Sequence, residues 1–217
     1  MGKFVCTVGG MAEDGVPGLR ERKKLQTRKA LSDATLDLVF ERGLENIRRE
    51  DIAARAGVSI RTFNNYFASK YEALAYRQIE RMKRSVRILR SRPADEPLWT
   101  AITVACTKPL EDDGGEGGVP SPAQLAAVRE LLGAPEMAAT LQKAVLGADG
   151  ELITLIAERT GTDPAKDLYP RLVVAAIGSA WQAASEVYLN AEPPVPIVGL
   201  LRRALEQIAA GLPDPSA

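Results

Sequence analysis

The chain has 217 residues, 46% of them hydrophobic, with 28 Lys+Arg balancing 28 Asp+Glu. Such a chain can bury a real core as one domain or two small ones, which excludes disorder throughout. No run reaches the roughly 18 apolar residues of a membrane span, and Phe4 to Val8 after Lys3 is too short for a signal-peptide core.

There is no histidine. Its absence removes imidazole acid–base catalysis, Ser–His–Asp triads and nearly every zinc site. Cys6 and Cys106 stand far apart with no partner pattern, so neither a disulfide framework nor a thiolate metal site is expected. No cofactor is assigned. The zero net charge hides a division: Met1 to Arg92 carries 20 Lys+Arg against 11 Asp+Glu, net +9, and Pro93 to Ala217 carries 8 against 17, net −9. A basic half suggests a polyanionic partner. Compositional drift between two helical regions is the alternative.

Residues 1–19 are a Gly-rich tail without period, expected to be disordered, within which Met11 is an alternative start to Met1. From Arg20 the pattern is helical: Leu31, Ala34, Thr35 and Leu38 share one face, and Gly43 is the stop. Short helices follow from about Glu50 to Ala56, ending at Gly57, and from about Ile60 to Tyr66. Ser69 opens a longer helix, with Glu72 completing a capping box, that runs to Arg90 before Pro93. Pro97 to Lys108 is the next helix, and the acidic Gly-rich stretch Glu111 to Val119 reads as a mobile loop. Pro122 to Gly133 and Pro135 to Thr160 follow, the second with an interruption expected near Gly147–Gly150. Asp163–Pro164 opens a helix to about Asn190, Pro193, Pro194 and Pro196 form a connector, and a last helix spans Ile197 to Ala210 before Gly211 and Pro213. The expectation is an all-α protein of roughly nine helices.

The informative stretch is Asp51-Ile-Ala-Ala-Arg-Ala-Gly-Val-Ser-Ile-Arg-Thr-Phe-Asn-Asn-Tyr-Phe67. Ala53 leaves room for a crossing helix, Gly57 permits a sharp turn, and Ile52, Ala56, Val58 and Phe63 are spaced as the core between two crossed helices. Ser59 can cap the second. This is the pattern of a helix-turn-helix, whose second helix enters the DNA major groove. An ordinary helical hairpin is the alternative.

Gly43, the run Asp51 to Ser59, and Thr62–Phe63 leading through Tyr66–Phe67 to Ser69–Lys70 and Leu74 resemble the DNA-binding domain of the TetR family of transcriptional regulators. The likeness spans residues 19–74, and beyond it the chain is similar to the family only in helix count and length. The opening Leu19-Arg-Glu-Arg-Lys-Lys and the later Arg159-Thr-Gly-Thr-Asp-Pro also resemble an actinobacterial subgroup associated with mycofactocin and acyl-CoA sensing.

The resemblance implies roles. Ile60, Arg61 and Asn64 fall at positions that face base edges, where Arg61 can fork onto guanine, Asn64 can pair with adenine and Ile60 can touch a thymine methyl. Thr62, Asn65, Tyr66 and Lys70, with Ser59 beside them, match positions that hold phosphates. The alternative is a solvated phosphate contact for Arg61 and plain surface polarity for Asn64 and Asn65. Where the family has a threonine cap and an apolar residue, this chain has Arg48 and Arg49, and Asn46 is the candidate replacement cap. Two guanidiniums there oppose the helix dipole unless an anion is close, which suits extra phosphate clamping or, alternatively, a tolerated surface pair.

The helix after the motif carries Arg77, Arg81, Lys83, Arg84, Arg87, Arg90 and Arg92 opposite an apolar face of Leu74, Ile79, Met82, Val86 and Leu89. It reads as a bridge between domains, with Glu80–Arg84 an i,i+4 pair. Its cations form a solvated face or, in a second reading, meet an anionic ligand such as the phosphates of coenzyme A. In the acidic half, Leu172, Val173, Ala176, Ala180, Val187 and Tyr188, with Ile197, Leu201, Ala204, Leu205 and Ile208, form two apolar stripes. They suit a four-helix homodimer interface, with intramolecular core as the alternative. Trp99, Ile102, Leu125, Leu132, Met137, Leu141, Ile177 and Trp181 are candidates for an effector pocket, again with plain core as the alternative.

The resulting expectation is a cytoplasmic, homodimeric regulator, a repressor released from double-stranded operator DNA by a small hydrophobic or acyl-type effector, without membrane association. Its divisions are a helix-turn-helix domain at 20–68, a connecting helix at 69–92, an effector and dimerisation domain at 93–212 and a tail at 213–217. An enzyme would need carboxylate or cysteine chemistry that does not stand out. A protein-binding helical adaptor leaves the basic half unexplained.

Overall fold

Leu31, Ala34, Thr35 and Leu38 are all buried on one face of α1 (Leu19–Arg42), as their spacing predicts. The computed structural model of the chain describes residues 18–114 and 121–213. Both expected tails, apart from positions 18–19 and 213, and most of the Gly-rich stretch lie outside the described residues. After a 3-10 turn at Leu44–Asn46 come α2 (Arg49–Arg55), α3 (Ile60–Tyr66), α4 (Lys70–Ser91), α5 (Leu98–Asp112), α6 (Pro122–Gly133), α7 (Pro135–Thr160), α8 (Leu168–Asn190) and α9 (Ile197–Ala209). Among the described residues every regular element is helical.

Two hydrophobic clusters organise these helices. The first joins Leu31, Leu38, Leu44, Ile52, Phe63, Phe67 and Leu74 beneath α1–α3, and Leu131 of α6 and Met137 of α7 close it from the other half of the chain. The second joins Val86 and Leu89 to Ile102, Cys106, Ile156, Val173, Ile177, Leu201 and Leu205. α4 belongs to both. Its first turns supply Ala73, Leu74 and Ala75 to one core and its last turns supply Val86 and Leu89 to the other.

Several boundaries differ from expectation, each for a local reason. α5 continues a turn past Lys108, carrying Pro109 inside it and ending at Asp112. α7 is unbroken through residues 147–150. α8 begins at Leu168, because Asp163 closes a separate turn: its Oδ1 accepts from the Ala165 N–H at 2.8 Å, and its carbonyl accepts from the Asp167 N–H at 2.9 Å. The Ser69 hydroxyl caps α4 by accepting from Glu72 N–H at 3.1 Å, but Glu72 reaches back one residue further, to Ala68 N–H, at 2.8 Å. By length and composition alone α8 is long and apolar enough to cross a membrane, a test that the core helix of a soluble protein also meets.

The cations of α4 are not a uniformly solvated face. Asp113, read from sequence as part of a loop, sits at the end of α5 and accepts from Arg81 Nε at 2.7 Å and Arg84 Nη2 at 2.8 Å, with Arg77 Nε at 3.8 Å. Glu80 therefore pairs with Lys83, not with Arg84. At the far end, Arg159 of α7 donates to the carbonyls of Arg92 at 3.0 Å and Pro93 at 2.7 Å, a cation placed where the chain leaves α4.

Burial opposes ionisation of Asp113, but the hydrogen bonds from Arg81 and Arg84 outweigh it and hold the carboxyl below its usual range. A depressed carboxylate pKa stabilises the fold above the unfolded value of about 4 and loses that contribution as pH falls through the native value. Asp113→Asn should therefore lower stability at pH 7 by about 1–3 kcal/mol. In parallel urea titrations the gap from wild type should close as the buffer is taken below about pH 4.

Candidate DNA interface and effector cleft

The crossing of α2 and α3 is set by one residue without a side chain. Gly57 has φ +68°, its N–H donates to Ala54 O at 3.1 Å, and Val58 N–H donates to Ala53 O at 2.9 Å. These two bonds close α2 and turn the chain sharply into α3. Ala53 is buried where the helices meet, and Ile52 and Phe63 are fully buried beneath them. Ser59 starts α3 by accepting from Thr62 N–H at 3.1 Å, and its hydroxyl also lies 2.9 Å from that of Thr62.

With Phe63 pointing inward, the opposite face of α3 carries Ile60, Arg61, Asn64 and Asn65, all exposed, while Thr62 and Tyr66 are half-buried. Arg49 reaches across from α2 to donate to Asn64 Oδ1 at 3.2 Å. That leaves the Asn64 amide N–H groups and the second lone pair of Oδ1 for a base edge. Arg48 and Arg49, with Ile47, Glu50, Ala68, Ser69, Lys70 and Tyr71, surround a concavity of about 440 Å³ next to this face. Lys70 contributes less freely than expected. Its Nζ donates to Leu44 O at 2.7 Å and lies 5.6 Å from the Tyr71 ring centre, so it also holds the 3-10 turn in place.

The replacement cap is not Asn46. Its Nδ2 donates to Arg42 O at 2.7 Å, which serves the end of α1. The first residue before α2 is Arg48, whose guanidinium has no acceptor, so its backbone N–H is satisfied by Asp51 Oδ2 at 2.9 Å. The sequence signal was present: an acid three residues after the cap, next to Glu50, also offsets the two guanidiniums at this helix start.

The expected effector residues do not converge. Ile102 and Ile177 are buried in the C-terminal core, with Trp99 and Trp181 half-buried against it. Leu125 is buried on α6 apart from both clusters, and Leu132 is 41% exposed. Met137 and Leu141 pack on the other core, under the helix-turn-helix. A different cavity, of about 540 Å³, opens between the two halves. α1 and α3 give it Arg28, Tyr66 and Phe67, and α4 gives it Glu72, Tyr76, Ile79, Met82, Lys83 and Val86. α7 closes it with Thr140, Lys143, Ala144 and Glu151. The Phe67 and Tyr76 rings meet edge-on at 5.6 Å, and burial pushes the Tyr76 phenol up from its ordinary value.

The expected interface stripes also divide. Val173, Ala180, Leu201 and Leu205 are intramolecular core and are not available to a second chain. Ala176, Tyr188, Ile197, Ala204 and Ile208 are half-buried, while Leu172 and Val187 are about half exposed. The outward stripe of α8 also includes Leu168 and Tyr169, at 66% and 46% exposure. The sequence reading began the stripe at Leu172 and so left both out. The i,i+4 spacing of Leu168 and Leu172 was the available signal.

Comparison with known proteins settles the family. The model described as "Bacterial regulatory proteins, tetR family" matches residues 31–75, and the one described as "MftR C-terminal domain" matches residues 119–213. The HTH-type transcriptional regulator TcmR of Streptomyces glaucescens is 33% identical over 180 residues, covering 81% of this chain and 79% of TcmR. The chain belongs to the TetR family. Its fold is shared with the fatty acid degradation regulator FadR from Bacillus halodurans, at 19% identity and TM-score 0.58, over 86% of this chain and 96% of that one. A tetR-family regulator from Streptomyces coelicolor, at 18% identity and TM-score 0.50, covers 86% and 80%. As a TetR-family member it is a DNA-binding transcriptional regulator with a ligand-binding C-terminal domain, not an enzyme. Burial pushes the Cys106 thiol up to about 12, far from a reactive thiolate.

The cap assignment gives a direct expectation. Asp51→Ala should cost about 1 kcal/mol of stability, the usual loss for a helix-start cap. Asn46→Ala should leave the α2 amides as protected as before. Site-resolved hydrogen exchange at Arg48 and Ile52 separates the two, and equal deprotection by both would return the cap to Asn46.

Proposed function

We propose that the protein is a cytoplasmic homodimeric repressor that reads operator DNA through Ile60, Arg61 and Asn64 and is released by a small apolar or acyl-type effector. The observation that carries this reading is the outward face of α3, held rigid over buried Phe63 beside the basic concavity of Arg48, Arg49 and Lys70. Arg61 and Asn64 can read base edges, and Ile60 can meet a thymine methyl. Arg48, Arg49, Ser59, Thr62, Asn65, Tyr66 and Lys70 set the register on phosphates. Residues 20–68 form the reading unit, 69–92 the link, and 93–212 the unit that dimerises and takes the effector. The acyl-type effector rests on the likeness to the mycofactocin-associated subgroup and on the family match over residues 119–213.

Two protomers meet through the exposed stripe of α8, Leu168, Leu172 and Val187, together with the half-buried residues of α8 and α9. A pair of recognition helices must lie about 34–36 Å apart to enter successive major grooves. α4 is the lever that sets this spacing, since it runs unbroken from Lys70 to the C-terminal core. An effector releases DNA only by favouring the arrangement that spoils the spacing.

In a gel shift on the DNA upstream of its own gene, the protein should retard a specific fragment. Arg61→Ala should relax preference at one base pair per half-site, at a cost of about 1–3 kcal/mol. Arg48→Ala should weaken all sequences alike and flatten the salt slope by about one unit. Identical sequence profiles for the two variants would remove the division between reading and positioning.

Leu172→Glu should yield a folded monomer by analytical ultracentrifugation, with unchanged far-UV circular dichroism and little operator affinity. A dimer that survives Leu172→Glu moves the interface elsewhere.

A further inference from the structure

Arg28 Nε is buried in the protein and, among the described residues, is the one buried side-chain nitrogen or oxygen without a hydrogen-bond partner. Leaving such a donor unmet is costly, and more so when the group is charged. Its guanidinium lies over the Tyr66 ring, whose centre is 5.9 Å from Cζ. Arg28 lines the cavity between the helix-turn-helix and α7, and Lys143 lines the same cavity from the α7 side. Neither has an ion pair among the described residues, whereas the other charges of the wall are engaged. Lys83 holds Glu80, Glu151 holds Arg90, and Glu72 accepts from Ala68 N–H. Two unmatched cations therefore face an apolar floor that includes Phe67, Ile79, Met82 and Val86.

We propose that this cleft is a binding site for an apolar carboxylic acid, its carboxylate held between Arg28 and Lys143 and its hydrocarbon body lying on Phe67, Ile79 and Met82. The volume, about 540 Å³, lies in the range of small-molecule pockets. A carboxylate supplies the acceptor that Arg28 lacks, and a neutral ligand of the same shape does not. The site deepens the effector reading above and rests on it, but it places the acid between the two halves, not inside the C-terminal core. Tyr66 ends the recognition helix and Phe67 caps it, so one wall of the cleft is the end of the DNA-reading element itself. The opposite wall is α7. A ligand that fits best when α7 stands away from α3 and α4 biases the reading head directly, without a change in the core around Trp99 and Ile102.

Decanoate is the probe, with 1-decanol as its uncharged counterpart, titrated into the full-length protein by calorimetry and, separately, into its complex with an operator fragment retained in gel shift. Decanoate is expected to bind at least about tenfold more tightly than decanol, and Arg28→Gln or Lys143→Gln to remove that preference. Operator should weaken decanoate binding by the factor by which decanoate weakens operator binding. Circular dichroism checks that the variants fold. Ala144→Trp, which fills the cleft and keeps both cations, should block decanoate as well. The proposal is overturned if decanoate does not bind at millimolar concentration, binds no better than decanol, binds all three variants like wild type, or leaves operator affinity unchanged. A protein that takes up decanoate in this pattern but retards no DNA would refute the repressor reading and leave the acid site standing.

Discussion

One helix is shared by two cores. Because Ala73, Leu74 and Ala75 of α4 are sealed under the helix-turn-helix and Val86 and Leu89 are sealed in the C-terminal cluster, neither core can shift against the other while α4 stays still. Its 22 residues make a rod of about 33 Å with no glycine or proline to absorb a bend. Asp113 pins the middle of this rod to the end of α5, and Arg159 pins its exit to α7. The edge-on contact of Phe67 with Tyr76 fastens the end of α3 to it. Close-packed interfaces of this kind tend to have discrete arrangements, so a change on one side is passed on as rotation or tilt.

The same pins redistribute the charge of the basic half. Arg81 and Arg84 share the single charge of Asp113, while Arg90 pairs with Glu151, Arg92 with Glu96 and Arg55 with Glu41. What remains unpaired among the described residues includes Arg48 and Arg61, both at the exposed face around α2 and α3. The free positive charge of this half is thus smaller than the net charge of +9 implies, and part of it lies on the exposed face of α2 and α3.

Legibility followed the range of the interactions involved. Local grammar was readable: the burial of Leu31, Ala34, Thr35 and Leu38 follows from periodicity, and the turn at Gly57 and the Ser59 cap follow from residue types with one main use. Long-range pairing was not. Nothing in the spacing of Asp113 points to arginines some 30 positions earlier, and so an acidic loop was expected where a clamp exists. The expected effector residues are divided between the two cores for a related reason. Periodicity shows that Met137 and Leu141 face inward, but not toward which of two cores. The start of α8 was misplaced because a proline after an aspartate opens an isolated turn as readily as a helix.

The uncovered leucines of α8 also bear on dosage. If two chains meet on this face, as proposed, the assembly is tied to mass action, and its amount falls with the square of the free chain when chains are scarce. Halving synthesis then cuts the assembled form to about a quarter in that dilute regime. Leu168 and Leu172, side by side in water on the lone chain, would in this way sharpen a modest change in expression into a steeper change in operator occupancy.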